Sequence, residues 1–558
     1  MKKIYLSILL VLVSISIEAQ ITTTTYRGAF DPSTAMWSDS WANFDPQNTV
    51  YPSPNVDVTA NITVDTHWTA GNTYYLKSQI YVKNNAVLTI DPGVVILGDH
   101  TASGAGLFIT KGAKIMAIGT AANPIVFTSD RAPGARVKGD WGGVILLGKA
   151  SYNINGGVNN IEGIAASADT QFGGGATPDD NDNSGTLKYV RIEFGGYVYV
   201  AGSEINGLTF GAVGRGTTID YVQVSHTNDD SFEWFGGSVN CTHIIAFKGL
   251  DDDFDTDNGY SGSVQFALGI RDPQVADNPA APVGASTSEG FESDNNSTSA
   301  AVTPYTSAVF TNCTLIGPAY RVTLTNGGTL AVGYERAARL RRNTQLKIFN
   351  SICTDYKKGL MIDGVTTEVN ALTDNTLKWK NNILAGITTA ANTVYSTTAG
   401  NAAALATWYS NGNNTTVALP ANPFALLVKP YDLNDAQIYT GLDYRPATGS
   451  IAETGADFTD PSLVSFLGVN SFENSVKVSI IAYPNPFAKS FKLSFFSEIS
   501  SDDVNINIYD ITGKVVESKN LKYEDANNYE FGDNYNSGIY IAIISQGKAS
   551  KAFKMIKN

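Results

Sequence analysis

The sequence predicts an all-β protein: a right-handed parallel β-helix followed by a small antiparallel β-sandwich. Three observations carry this. First, a stretch of chain repeats at a fixed spacing. Val222 returns as Ile244, Asp229 as Asp251, Asp230 as Asp252, Phe232 as Phe254, Glu233 as Asp255 and Gly237 as Gly259, every offset being 22 residues. A fixed period of this size marks a solenoid whose units stack and share one core. Second, the repeat has no helical period. It consists of short β runs, Tyr221-Val222-Gln223-Val224 and His243-Ile244-Ile245-Ala246, broken by Gly, Asn and Asp, which describes one coil of a parallel β-helix. Third, residues 482–558 change character to longer alternating runs with turn signals between them, the pattern of an antiparallel sandwich. The handedness follows the right-handed preference of parallel crossovers.

Taken in order, Lys2 and Lys3 precede an apolar run over residues 4–17, and Ser16-Ile17-Glu18-Ala19 offers a cleavage point between Ala19 and Gln20. That is a signal peptide, too short for a transmembrane helix. No Cys follows it, which argues against a lipoprotein anchor, and no other membrane span is expected in the mature chain. Residues 20–60 read as an extended strap rich in Pro, Thr and aromatics (Trp37, Trp41, Phe44, Tyr51). It either packs on the side of the solenoid or offers an aromatic patch to sugar. The β-helix is expected over 61–389. Rungs begin near Thr63 and recur at 72–76, 79–82, 86–90, 107–109, 115–118, 125–128 and 144–147, with period-two alternation. A loop rich in Gly, Asn and Asp spans 151–185, and another spans about 272–305. In three later rungs an Asn recurs, Asn312, Asn350 and Asn381, as stacked Asn side chains hydrogen-bonding along the axis would require. Residues 390–481 are expected to be an irregular cap and linker with a short helix near 402–408, covering strand edges that an open end would expose.

The 558 residues suffice for a large core and more than one domain. A formal charge of −14 argues against nucleic acid, which needs a basic surface. Cys241, Cys313 and Cys353 fit neither a disulfide framework nor a CxxC metal site and read as small wall residues. The segment 482–558 holds nine Lys, no Arg and nine acidic residues, so the negative charge lies on the part before it.

The chemistry is concentrated in residues 229–259, where eight carboxylates (Asp229, Asp230, Glu233, Asp251, Asp252, Asp253, Asp255 and Asp257) are accompanied by a single Lys or Arg, Lys248. The repeat sets Asp229 over Asp251, Asp230 over Asp252 and Glu233 over Asp255, on backbones about 4.8 Å apart. Like charges at that spacing repel by roughly 1 kcal/mol in water and about 3–4 kcal/mol at an effective dielectric of 20. They splay into solvent, take up protons or bind a hard cation, and calcium suits a flexible set of oxygen ligands. All eight are therefore candidate calcium ligands. The segment Asp253–Gly259 resembles the start of a calcium loop with its Gly one place late, and Asp180–Gly185 fits better but has Arg191 at position twelve; neither is an EF-hand. A further partial copy, Glu289-Gly290-Phe291-Glu292-Ser293-Asp294-Asn295, adds Glu292 and Asp294 after a loop insertion, and Phe232, Phe254 and Phe291 read as a buried stack. Trp234 and Arg271 are candidate glycan contacts. Arg336, Arg339, Arg341 and Arg342 either face an acidic glycan or compensate the acidic rungs. His226 and His243 are 17 apart and so are not register partners; they read as wall or turn residues.

The tail resembles the type A C-terminal sorting domain of the type IX secretion system. The resemblance lies in Tyr483-Pro484-Asn485-Pro486, Ile508-Tyr509-Asp510-Ile511-Thr512-Gly513-Lys514-Val515-Val516, Gly538-Ile539-Tyr540 and the Lys-rich end from Lys551 to Lys557. It implies export through the outer membrane of a Gram-negative cell, with the passenger released or attached to surface lipopolysaccharide. The passenger resembles a family of secreted proteins with a pectin-lyase-like β-helix. The matching segments are Leu88-Thr89-Ile90-Asp91-Pro92-Gly93, Arg191-Ile192-Glu193-Phe194-Gly195-Gly196, Asp229–Gly237 and Asp251–Gly259. This resemblance implies fold and address, not chemistry. A fold shared with enzymes does not make an enzyme, and the sequence has no GxSxG, HExxH, P-loop or dinucleotide fingerprint in a fitting context. The favoured expectation is a non-catalytic, calcium- and polysaccharide-binding secreted or surface protein. The alternative is a calcium-dependent polysaccharide lyase or a glycoside hydrolase using paired carboxylates, with Arg271 as the nearest Arg after the acidic rungs.

Overall fold

A computed structural model describes residues 21–464, 466 and 478–558, except 200–204, 278–286, 325–327, 388–391, 397–399, 418–424, 485, 498–502, 511–513, 527–528 and 547–548. The expected signal peptide, with its Ala19–Gln20 cleavage point, lies outside the described residues. Thr24–Ser462 forms one compact unit, and the segment from Leu463 to Asn558 belongs to another.

The first unit is a parallel β-helix. Its coil is clearest where the sequence repeats. Thr218–Ser225 pairs in parallel with Asn240–Phe247, and Phe232–Phe235 with Phe254–Asp257, in the register Val222↔Ile244 and Glu233↔Asp255 that the 22-residue offset requires. Ten strands from Gln79–Val82 to Val394–Ser396 stack into one face. Longer strands each turn a corner, so their pairings merge two further faces into one sheet of eighteen strands. The corner residue takes positive φ. In the middle coils it is aromatic (Tyr189, Tyr221, His243 and Phe266, φ 50–60°). The rings stack with centroids 4.4, 4.3 and 5.0 Å apart. In later coils the same corner is Asn312, Asn350, Asn381 and Asn413, with φ 50–56°. The recurring Asn thus has a backbone cause, since Asn tolerates the left-handed region that other side chains avoid. The expected axial bonding is partial. Asn413 Nδ2 donates to Asn381 Oδ1 at 2.7 Å, whereas Asn350 turns outward and holds the backbone of Asp457. The recurring Gly237 and Gly259 have φ 82° and 93°, and a Cβ there would come within 2.5 Å of the Val213 carbonyl and 2.7 Å of the Pro304 carbonyl.

Inward residues of every rung form one continuous apolar core that includes Leu88, Ile115, Val222, Ile244, Phe254, Phe310 and Leu384. Cys241, Cys313 and Cys353 are unbridged members of it. A second apolar cluster lies outside the wall. There Ile245, Phe247, Leu268 and Ile270 meet Phe30 and Trp41 of the strap and Leu426, Tyr431, Tyr439 and Tyr444 of the later chain. The strap aromatics are therefore adhesive and not a sugar platform. Trp41 packs edge-on to Tyr189 and Tyr221, Phe44 to Phe247, and the Tyr51 hydroxyl donates to Glu193 Oε1 at 2.8 Å. The strap ends earlier than residue 60, because Val56–Val58 is already a rung paired with Thr73–Leu76. The solenoid also runs past residue 389. Ile383–Ala385 pairs in parallel with Thr415–Val417, beyond the helix Ala402–Asn411. The hairpin Leu427–Lys429 with Asp443–Pro446 then joins the outer cluster, so this segment braces the side of the wall.

The second unit holds two antiparallel sheets. Val478–Tyr483 pairs with Phe491–Ser497, and that strand with Glu530–Phe531. The other runs Val515–Leu521, Val504–Asp510, Gly538–Gln546, Ala549–Lys557. Phe491, Leu493, Ile506, Ile508, Ala542 and Met555 lie in their shared core.

Candidate functional site

On the ten-stranded face, alternation sends every second side chain into the core. Phe232, Phe254 and Phe291 point inward and stack at 5.8 and 5.6 Å. The residues between them point out, and register aligns Thr209, Glu233, Asp255, Glu292, Arg339 and Met361 in one outward ladder. The partial copy is thus a true rung, reached at an offset of 37 in place of 22, and its strand Ser288–Ser293 interrupts the loop expected over 272–305.

Asp230 and Asp252 occupy the bend before the strand. Asp230 Oδ1 accepts the Asp252 backbone N–H at 2.7 Å, and Asp252 Oδ1 accepts that of Glu289, so each acid clamps the next coil. One oxygen from each of Asp229, Asp230 and Asp251 lies within 4.8 Å of the others. The same holds for Asp230, Glu233 and Asp255, and for Asp252, Asp255 and Glu292. Asn206, which no sequence signal marks, donates to Glu233 through Nδ2. Burial, with neighbouring carboxylates adding to it, pushes Asp230, Glu233, Asp251, Asp252, Asp255 and Asp257 well above the usual carboxylate range. Glu292 is pushed up to about 7 by burial, against the pull of Arg341.

Three sequence expectations need correction. Asp253 is not on the ladder. It points into the wall, where it meets Arg271 Nη1 at 3.0 Å, and both side chains are fully buried. Arg271 is therefore not a glycan contact. Nor is Trp234, which is fully buried and stacked between Phe210 and Tyr260 at 5.4 and 5.3 Å. Asp253 precedes the strand Phe254–Asp257 and turns at the bend into the wall, away from Asp255, so Asp253–Gly259 is a strand with its flanks, not one calcium loop. Asp257 lies at the far end of that strand, its Oδ1 accepting the Asn258 N–H at 2.6 Å.

The arginines compensate the acidic rungs. Arg336 pairs with Glu289, Arg341 with Glu292 and Asp294, and Arg342 with Asp294. Arg339 lies 3.6 Å from Glu292 and 3.3 Å from Asp363. The histidines sit at two different corners, His243 on Tyr221 and His226 on Phe194. An acid–histidine group that sequence reasoning missed, Asp99, His100 and Asp130, is satisfied by its neighbours Lys77, Thr101 and Tyr75. Beside Asp257 a cleft of about 220 Å³ is lined by Tyr152, Phe172, Phe235, Asn160 and Glu162.

Fold and tail define a β-helix protein built for export. Residues 60–422 match the pectate-lyase-like β-helix domain family, and the chain belongs to it. Residues 481–558 match the secretion system C-terminal sorting domain. The tail implies handling by the type IX secretion machinery and a secreted or cell-surface protein. Among solved structures, the chain is similar to the enzymatically active domain of tailspike protein 2 from bacteriophage CBA120. Identity is 11%, coverage 87% of this chain and 72% of that one, and the TM-score 0.21. No curated protein matches. Among the described residues no helix is long and apolar enough to cross a membrane.

Proposed function

We propose that this is a non-catalytic protein of the outer surface of a Gram-negative cell, released or held on lipopolysaccharide, that binds calcium on its acidic ladder and glycan beside it. One observation carries the calcium reading. Asp251 Oδ1, Asp255 Oδ1 and Glu292 Oε1 are shielded from solvent and accept no hydrogen bond. Buried carboxylate oxygens without a donor are costly, and a hard cation with oxygen ligands relieves that cost. The glycan reading rests on the cleft beside Asp257, where aromatic side chains and amides are combined on the scale of a sugar ring. A glycoside hydrolase is the second reading, because Glu162 and Asp257 both line that cleft and hydrolysis needs two carboxyl groups across one bond. The lyase reading loses the arginine that the sequence offered it, because Arg271 is sealed in the wall.

The test is thermal unfolding of the purified chain with calcium or with chelator, for the native sequence and for Asp252→Asn and Asp255→Asn. Calcium should raise the native melting temperature by several degrees. The variants should lose most of that rise, and they should melt higher than the native chain in chelator, because a repelling charge is gone. Melting that ignores calcium would sink the reading. Release of reducing ends from a polysaccharide panel would replace the binder by the hydrolase.

A further inference from the structure

We infer that the ladder holds not one divalent cation but two, bridged by Asp255; this rests on the calcium reading above. The two three-carboxylate groups on the strand face share that residue. Asp230, Glu233 and Asp255 form one, and Asp252, Asp255 and Glu292 the other. They are one coil apart, because Glu233, Asp255 and Glu292 are consecutive register partners. Rungs are about 4.8 Å apart, and carboxylate-bridged metal pairs sit about 3.5–4 Å apart, so neighbouring rungs suit a bridged pair. Asp255 is built for the bridge: its Oδ1 is shielded and accepts no hydrogen bond. Glu292 supplies a second ligand atom. Its Oε1 accepts no hydrogen bond, Arg339 Nη1 standing 3.6 Å away, and the residue exposes only 4% of its surface.

Charge argues for the same number. Asp230, Glu233, Asp252 and Glu292 expose 7%, 7%, 3% and 4% of their surface, and Asp255 stands between them. Fully ionised, as cation ligands must be, the five carboxylates carry −5. One divalent cation leaves −3 in a shielded site, which is expensive. Two leave −1, which Arg341, already paired with Glu292, neutralises. The next position on the ladder is Arg339, so a guanidinium ends the row where a further cation would stand. The first group has no ion pair to a Lys or Arg among the described residues, which makes it the stronger site.

The experiment uses the intact chain stripped with chelator. Terbium is titrated first, and emission lifetime is then read with europium as energy acceptor. Two terbium ions per chain are expected, and mixed loading should shorten the terbium lifetime, since transfer requires neighbouring sites. Glu233→Gln should remove one ion and Glu292→Gln the other, whereas Asp255→Asn should weaken both. The lifetime measurement needs no variant, so misfolding of a variant does not blunt the test. A single ion with an unchanged lifetime would overturn the bridged pair and leave the calcium reading standing. No bound ion would overturn both.

Discussion

The corner residue Asn350 concentrates what the sequence repeats for. Its φ is 50°, its Oδ1 accepts the Asp457 N–H at 2.9 Å, and its Nδ2 donates to the Asp457 carbonyl at 3.0 Å. Asn350→Ala forfeits both bonds and puts a Cβ without compensation in the left-handed region. Each bond is worth about 1 kcal/mol and the strain about 1 kcal/mol, so the change should cost about 3 kcal/mol. Asn350→Gly removes the strain but not the loss of bonding and should cost less. Denaturant midpoints would order native, Gly, Ala. If Ala equals Gly, the corner conformation carries no cost and the account of the Asn ladder fails. The aromatic corners at Tyr189, Tyr221, His243 and Phe266 show the alternative: ring stacking along the axis offsets the same strain, which is why no single residue type marks the corner in the sequence.

At the level of elements, the strap and the hairpin Leu427–Lys429 with Asp443–Pro446 cover a different outer wall from the ten-stranded face that carries the ladder. Trp41 anchors the strap. It is 1% exposed, packs on two corner tyrosines, and donates from Nε1 to the Trp37 carbonyl at 2.8 Å. Trp41→Ala should cost about 3–5 kcal/mol, the usual range for a buried large aromatic. Hydrogen exchange should then rise over residues 26–51 and in Ile245–Phe247 beneath them. Exchange confined to the strap, with the wall still protected, would mean the cover contributes nothing to the solenoid. Sequence reasoning reached the coil because identical spacing enforces identical register, as Val222↔Ile244 and Glu233↔Asp255 demonstrate. It misjudged Asp253 because period-two alternation holds only within a strand, and at the bend before Phe254 the phase is set by corner dihedrals that composition does not reveal. Trp234 was within its reach, since alternation from the buried Phe232 already turns it inward, and Arg271 follows the end of the strand Ser263–Ile270, where alternation stops. Asn206 escaped because its link to Glu233 crosses 27 residues of sequence, and a chain met alone carries no sign of such a pairing.

For the whole molecule, division of labour follows from two separate cores. Thr24–Ser462 contains both the solenoid interior and the outer cluster, while Phe491, Ile506, Ile544 and Met555 belong to the core of the tail. Charge divides in the same way: with nine Lys against nine acids in residues 482–558, the net −14 falls entirely on the rest of the chain. The acidic ladder and the export signal therefore share neither core nor charge. A chain ended after Ser462 should keep its main thermal transition within a degree or two, because no core residue of the first unit is removed. It should also keep the full calcium-dependent rise in melting temperature, since every ladder residue lies before that point. What it should lose is its address: fractionation should find it retained inside the outer membrane, where the complete chain reaches the surface or the medium. A truncated chain that still reaches the surface would show that the matched sorting domain is not the export signal. One that no longer melts cooperatively would show that the solenoid draws stability from residues beyond 462.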